Sequence, residues 1–286
     1  MSDHTSFRIG GPADLFIEPK DVADLQKCIL YLSSISMPFM VLGNGTNLLV
    51  SDDGIRGAVI RTGGLLNGIE VQGTRIIAQA GVGLPHLCRI AAEHSLTGLE
   101  FASGIPGSVG GAISMNAGAY GKFMQDVVIS CEVLTSKGDF LILDRASIGF
   151  RTKGSRFQDS DETIISATFQ MEKGIREEIE AEMKRLSDIR REKQPIEYPS
   201  AGCVFKNPTE GGAGRYIDWA GLKGFRIGGA QISEKHANFI VNLGNATCQD
   251  VLELMSFAIE TVRKRFGVTL QPEIRLVGPK LRVPGT

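Results

Sequence analysis

GIPGSVGGAISMNAGAYG, residues 104–121, holds six glycines, one proline and no charged side chain. Glycine loses more backbone freedom on ordering than any other residue, so such a run is costly unless the chain must pass close to something. A flexible linker would be polar, yet this stretch carries Ile105, Val109, Ile113 and Met115. Glycines between apolar anchors bring main-chain N–H groups near a partner while the anchors hold a core. An anionic ligand gripped by amides rather than lysines answers that description. Tight turns in a purely structural sheet answer it equally well, and the stretch alone leaves both open.

Working outward, a second glycine loop lies upstream. The short apolar run Phe39–Leu42 reads as a buried strand and delivers GNGTNLLVSDDG, residues 43–54. This is not the dinucleotide fingerprint, because Leu48 stands where the third glycine belongs. No Walker lysine motif occurs either. Before this loop, His4–Asp14 reads as a short strand-like run broken by Gly10-Gly11-Pro12. Asp21 can cap a helix that carries Val22, Leu25, Ile29 and Leu32 on one face.

Between the glycine loops come strands at Ala58–Arg61, Gly68–Val71 and Arg75–Ala80, then a helix over Leu84–His94 with Pro85 in its first turn. Downstream, Val127–Leu134 and Phe140–Leu143 flank the turn Ser136–Asp139 as a hairpin, and Ile164–Met171 is a further strand. At Gly174 the texture changes. Ile175–Lys193 is highly charged, with Ile175, Ile179, Met183, Leu186 and Ile189 spaced as one helical stripe, and a domain boundary falls near Lys173. Ala213–Asn242 reads as strand, turn and helix. A helix over Asp250–Phe266 buries Val251, Leu254, Ala258, Val262 and Phe266, with Gly267 as its C-terminal cap, and a strand over Glu273–Val277 closes the chain. The pattern is α+β.

The 286 residues are enough for one large domain or two to three ordinary ones, and a net charge of -1 argues against bulk attraction to nucleic acid or an anionic membrane. The uncharged spans Cys28–Ser51 and Phe101–Gly121 are broken by glycine and proline and do not suit membrane helices. Five scattered cysteines without a C-x-x-C pair fit free thiols in a reducing cytoplasm. The four histidines show no metal-ligand spacing, and His86 and His94 belong on a helix surface. Cys203 follows small residues in EYPSAGCVFKNP (197–208). It either fills a small buried space or serves as an acid, since a thiol titrates near 8.5. Arg151 sits with Lys153 and Arg156 in SIGFRTKGSRF, where generic surface charge is the default. Glu273 and Arg275 read by default as a surface ion pair worth little.

TSFRIGGPAD, GNGTNLLVSDDGIRG, ASGIPGSVGGAISMNAGAYG, PSAGCVFKNP and AGLKGFRIGGAQISEKHANFIVN occur in that order. Together they resemble the UDP-N-acetylenolpyruvoylglucosamine reductase (MurB) family of peptidoglycan precursor synthesis, in its shorter branch. The resemblance runs from Thr5 to about Gly278. It implies a two-lobed FAD-binding region of the vanillyl-alcohol-oxidase type, residues 1–60 and 61–173, and a C-terminal α+β substrate domain, residues 174–286. It also implies bound FAD, NADPH as co-substrate, a UDP-sugar enolpyruvyl ether as substrate, and a cytoplasmic monomer that binds neither nucleic acid nor membrane.

By the same resemblance, FAD contacts fall to Gly43, Asn44, Gly45, Thr46, Asn47 and Leu48. They also fall to Ser103, Gly104, Ile105, Pro106, Gly107, Ser108, Gly110, Gly111, Ala112, Asn116 and Gly118, and to Ile165. The implied chemistry is reduction of the flavin by NADPH, then hydride transfer to the methylene carbon of the enolpyruvyl ether. Arg151 and Glu273 would stabilise the enol form, and Cys203 would donate the final proton. Asn207, Lys235 and Arg275 align with positions near the substrate. Two departures stand out: Cys203 replaces a frequent serine, and Phe150 a frequent tyrosine. The chain also begins almost on its first motif, as if an N-terminal leader were trimmed. Two other readings share the glycine loops: another flavoprotein oxidising a small alcohol or hydroxy acid, and a nucleotide sensor without turnover. The PSAGCVFKNP and SEKHANF stretches favour the reductase over the first. The joint presence of Arg151, Cys203 and Glu273 speaks against the second.

Overall fold

A computed structural model describes residues 1–279 and 281. Two compact units emerge, and the chain passes between them more than once. One comprises Met1–Asp14, Gly45–Arg56 and the chain from Arg191 onward; the other comprises Leu15–Asn44 and Gly57–Arg190. The segments expected from the sequence (1–60, 61–173 and 174–286) are contiguous, whereas these units are interleaved. The reason lies in packing. Leu48–Val50 pairs in parallel with Arg275–Val277, Leu48 opposite Arg275. Phe7, Ile9 and Leu49 join the same buried cluster as Val251, Met255 and Ile274.

The unit Leu15–Asn44 with Gly57–Arg190 is built on a five-stranded antiparallel sheet. Its spatial order is Phe140–Asp144, Val128–Leu134, Thr163–Gln170, Arg75–Gln79, Ile69–Gln72. The hairpin read from the sequence is present, with Leu134 opposite Phe140. Thr163–Gln170 has core on both faces, with Ile164, Ala167 and Phe169 in one cluster and Ile165 in another beside Leu25 and Ile29. Simple alternation would put Ile165 with Ala167. The register instead steps from Ser166↔Glu132 to Ile164↔Val133. That bulge leaves Ile165 unpaired with the neighbouring strand and turns it to the opposite face. The helix Val22–Ser34 starts where Asp21 accepts the Asp24 amide and buries Leu25, Ile29 and Leu32 as its spacing requires.

The other unit holds the antiparallel strands Arg226–Ile227, Ala230–Ile232 and Ile240–Asn242, with helices Ala213–Trp219 and Cys248–Phe266. Thr247 and Asp250 close a reciprocal capping box on the long helix, and Gly267 ends it at φ 71°.

Four local expectations change. Residues 4–12 form no strand: Ser2–His4 is a 3-10 turn and the strand starts at Ala13, because Arg8 takes a left-handed backbone at φ 55° between buried Phe7 and Ile9 and breaks the extended path. The 213–242 stretch runs helix first and strands after, since proline-free AGRYIDW after Gly212 suits a helix, the glycines at 221 and 224 suit the turns leading from it to the first strand, and those at 228 and 229 suit the turn between strands. Ile175 precedes its helix and is exposed, while Ile179 and Leu186 carry the buried stripe. Phe266 is exposed at the helix end, where it packs on the rings of Tyr216 and Trp219 instead of entering the core.

Candidate active site

In the unit Leu15–Asn44 with Gly57–Arg190, the glycine stretch meets the residues that lead into the upstream loop. Asn44 Nδ2 donates to the Pro106 carbonyl at 3.0 Å. A Cβ on Gly43 would stand 2.3 Å from Ser108 Oγ, and one on Gly63 would stand 2.5 Å from the Gly43 carbonyl. Backbone therefore lies directly on backbone, which only glycine permits. Ser108 caps the helix Val109–Ser114 by accepting the Gly111 amide. The Val109, Gly110 and Ala112 amides go to Val82, Ala80 and Ser108 carbonyls. Among the described residues, the amides of Asn44, Gly45, Thr46 and Asn47 meet no acceptor. Such successive main-chain donors suit an anionic group such as the diphosphate of FAD without a lysine, so these residues fit the cofactor.

Other members of the expected cofactor set are also built into the scaffold. Ile165 and Ala112 are buried, and the Ile165 carbonyl accepts the Ala80 amide. Ser103 Oγ donates to Glu100 O, and the Ile105 amide to Ala102 O. A Cβ on Gly118 would collide with Phe123, and one on Gly104 would stand 3.0 Å from Arg190 Cδ. Asn116 is 2 % exposed. It donates to Gln125 Oε1 at 2.8 Å and to the Arg151 carbonyl at 3.1 Å, and accepts the Gln125 amide at 3.0 Å. Its amide group is thus committed inside the protein.

The same network places Arg151. Arg151 and Gly154 exchange main-chain hydrogen bonds at 2.9 and 3.1 Å, and Ser155 Oγ donates to the Ser114 carbonyl. Gln158 Nε2 reaches Met115 Sδ. The Arg151 guanidinium is 52 % exposed and pairs with Asp159, with Gln158 Oε1 alongside. So Arg151 is tied to the end of the glycine stretch.

The unit formed by Met1–Asp14, Gly45–Arg56 and the C-terminal part joins Cys203 to Glu273. The Glu273 amide donates to the Val204 carbonyl at 2.7 Å, and Lys206 N to Gln271 O at 2.8 Å. Gly202, at φ +78° with open space where a Cβ would stand, turns the chain so that half-buried Cys203 bridges to Phe239. Buried Asn238 clamps this segment, accepting the Phe205 amide and donating to its carbonyl. Asn47 Nδ2 donates to the Glu273 carbonyl, and Arg275 N to Asn47 O. Gly45, at φ +63°, would press a Cβ within 2.2 Å of the His4 carbonyl. Asn207 Oδ1 accepts the Ala213 amide, and Lys235 Nζ donates to the Arg191 carbonyl at 2.7 Å. Exposed Arg275 lies in the strand beside Leu48.

The residues that sequence reasoning missed are Gln125, Gln158, Asp159 and Asn238. A buried asparagine in the apolar run HANFIVN was a visible signal for the last; nothing marked the other three.

The two regions correspond to two family descriptions. Residues 13–144 match "FAD binding domain", which makes the chain a flavin-binding protein by fold class. Residues 194–277 match "UDP-N-acetylenolpyruvoylglucosamine reductase, C-terminal domain". The reductase of that name from Caldanaerobacter subterraneus subsp. tengcongensis is 50% identical over 280 residues, covering 98% of this chain and 92% of the relative. The one from Syntrophomonas wolfei subsp. wolfei is 44% identical, covering 97% and 93%. The crystal structure of UDP-N-acetylenolpyruvylglucosamine reductase (MurB) from Thermus caldophilus superposes with a TM-score of 0.82 at 37% identity, covering 96% of each chain. The chain belongs to the UDP-N-acetylenolpyruvoylglucosamine reductase family.

Proposed function

We propose that this chain reduces UDP-N-acetylglucosamine enolpyruvate to UDP-N-acetylmuramate at the expense of NADPH, in peptidoglycan precursor synthesis, with Arg151, Cys203 and Glu273 as its catalytic residues. The observation that carries the reading is the 2.7 Å hydrogen bond from the Glu273 amide to the Val204 carbonyl. It sets the carboxylate-bearing and thiol-bearing segments side by side although they are remote in sequence. FAD, when bound, supplies the hydride transfer.

Arg151 and Glu273 stabilise the enol form: the Arg151 guanidinium meets the charge that gathers on the substrate carboxylate, and the Glu273 carboxylate accepts a hydrogen bond from the enol hydroxyl, tasks that reward groups held in place beforehand. Cys203 Sγ gives its proton to the carbon that does not receive the hydride. Gly43–Leu48, Ser103–Ser108, Gly110–Ala112, Gly118 and Ile165 hold FAD largely through main-chain atoms, as the unsatisfied amides of residues 44–47 support. Residues 1–60 and 61–173 serve the cofactor and 174–286 the sugar nucleotide, with Asn207, Lys235 and Arg275 near it. In this reading the enzyme acts as a monomer. Five cysteines without a disulfide support a cytoplasmic setting, and among the described residues no helix is long and apolar enough to cross a membrane.

Cys203→Ala tests the assignment. NADPH should still bleach the flavin, and the enolpyruvyl substrate should fail to restore its colour. Normal turnover of that variant removes Cys203 as the acid, and Cys203→Ser should keep part of the activity.

A further inference from the structure

We infer that Asn116, held by Gln125, is a positioning residue for Arg151, fixing the main chain of the arginine instead of touching cofactor or substrate. This rests on the role proposed for Arg151. Asn116 is an asparagine at φ 43°, a left-handed conformation that asparagine tolerates better than most side chains. It is almost fully buried, and burial of a carboxamide is stable only when its polar atoms are matched. Both of its amide hydrogens are used, one on Gln125 Oε1 and one on the Arg151 carbonyl, and its oxygen receives the Gln125 amide.

The Arg151 carbonyl thereby accepts two hydrogen bonds, from Asn116 Nδ2 and from the Gly154 amide at 3.1 Å. A Cβ on Gly154 would stand 2.3 Å from Gln158 Oε1 and 3.0 Å from Arg151 Nε, so a larger residue there would push both side chains aside. The backbone of Arg151 is thus gripped on the inside, while its guanidinium is partly exposed and, among the described residues, held by Asp159 and Gln158. Surface ion pairs of that kind are weak and exchangeable. The arrangement keeps the root of the arginine fixed and leaves its tip free to leave Asp159 for an anionic substrate group.

The test uses the FAD-loaded full chain with Asn116→Asp, which fits the same space and backbone but loses both donors. Gln125→Glu is the conservative control, because its carboxylate still accepts from Asn116. Three readouts are taken: FAD affinity by flavin fluorescence, the two half-reactions by anaerobic stopped flow, and trypsin cleavage after Arg151 or Lys153 by mass spectrometry. For Asn116→Asp the FAD dissociation constant and reduction by NADPH should stay within about twofold of the parent. Reoxidation by the enolpyruvyl substrate should slow roughly tenfold or more, and cleavage at 151–153 should quicken several-fold, as expected for losing a buried hydrogen bond. Gln125→Glu should match the parent in all three. In the double variant with Arg151→Ala, reoxidation should be no slower than in Arg151→Ala alone.

Loss of FAD affinity in Asn116→Asp, unchanged cleavage, or independent multiplication of the two defects overturns the inference. Normal reoxidation in Arg151→Ala alone refutes the catalytic role of Arg151 instead, and the tether then stands or falls on the cleavage rate.

Discussion

Replacing Gly43 with alanine puts the proposed cofactor cradle under direct strain. The added methyl would stand 2.3 Å from Ser108 Oγ, well inside any real contact. Ser108 is buried and caps the helix Val109–Ser114, so its hydroxyl can yield only by giving up that cap. A lost cap costs about 1 kcal/mol, and a buried hydroxyl left without a partner about 1–3 kcal/mol more. The combined loss of roughly 2–4 kcal/mol corresponds to a melting point lower by about 4–16 °C in a domain of this size. If the loop moves instead, the amides of residues 44–47 shift from their ligand. One hydrogen bond to a charged group is worth about 1.5–3 kcal/mol, so FAD binding should weaken roughly 10- to 100-fold.

Rescue separates this clash from general damage. In Gly43→Ala with Ser108→Ala, the nearest atom of residue 108 becomes its Cβ, 3.5 Å away, an ordinary contact. FAD affinity, measured by quenching of flavin fluorescence, should return to within a few-fold of the parent, with only the cap still missing from the melting curve. A Gly43→Ala protein that binds FAD and melts like the parent would refute the reasoning. So would a double variant as impaired as the single one.

Two further outcomes concern stability. Burial pushes the thiols of Cys88, Cys131 and Cys248 up to about 12, aided at Cys88 by Glu100 and at Cys248 by Asp52. Their folded values lie above the unfolded one, so their stabilisation is complete below about pH 9 and is lost as pH rises toward 12. Urea titrations should show stability falling through that window, and Cys131→Ala should flatten the fall relative to its own neutral-pH value. Asp250→Ala removes acceptors for the Thr247 amide at 3.0 Å and the Gly229 amide at 3.1 Å. It should destabilise the protein by about 1–2 kcal/mol, read as a lower urea midpoint with unchanged slope.

Elements whose cause is local were legible in the sequence. Asp21 followed by Leu25, Ile29 and Leu32 states a capped amphipathic helix, and the Ser136–Asp139 turn states a hairpin. What escaped were features fixed by remote partners. Phe7, Ile9 and Leu49 carry no local sign that they complete a core made chiefly by residues beyond Ala201. The bulge at Ile165 depends on how Glu132 and Val133 line up across the sheet. The same division runs through the candidate site. Cys203, Arg151 and Glu273 were reached through motif resemblance, and the glycine loops by their composition. Gln125 and Asp159 look like any surface polar residue until the backbone brings them to Asn116 and Arg151.

In each unit the residues assigned to chemistry are held through their main chains. Asn116 and Gly154 hold Arg151 by its carbonyl. Val204 takes the Glu273 amide, and Asn238 clamps Phe205 just beyond Cys203. Holding a side chain by its tip would compete with the substrate for that tip, and the competing bond would have to break in every turnover. Holding it by the peptide group costs the ligand nothing and limits how far the tip can stray, which is what preorganised stabilisation of a developing charge requires. Substitutions at the tips should therefore remove a chemical step, whereas substitutions at Asn116 or Asn238 should blur the geometry and slow that step without abolishing it.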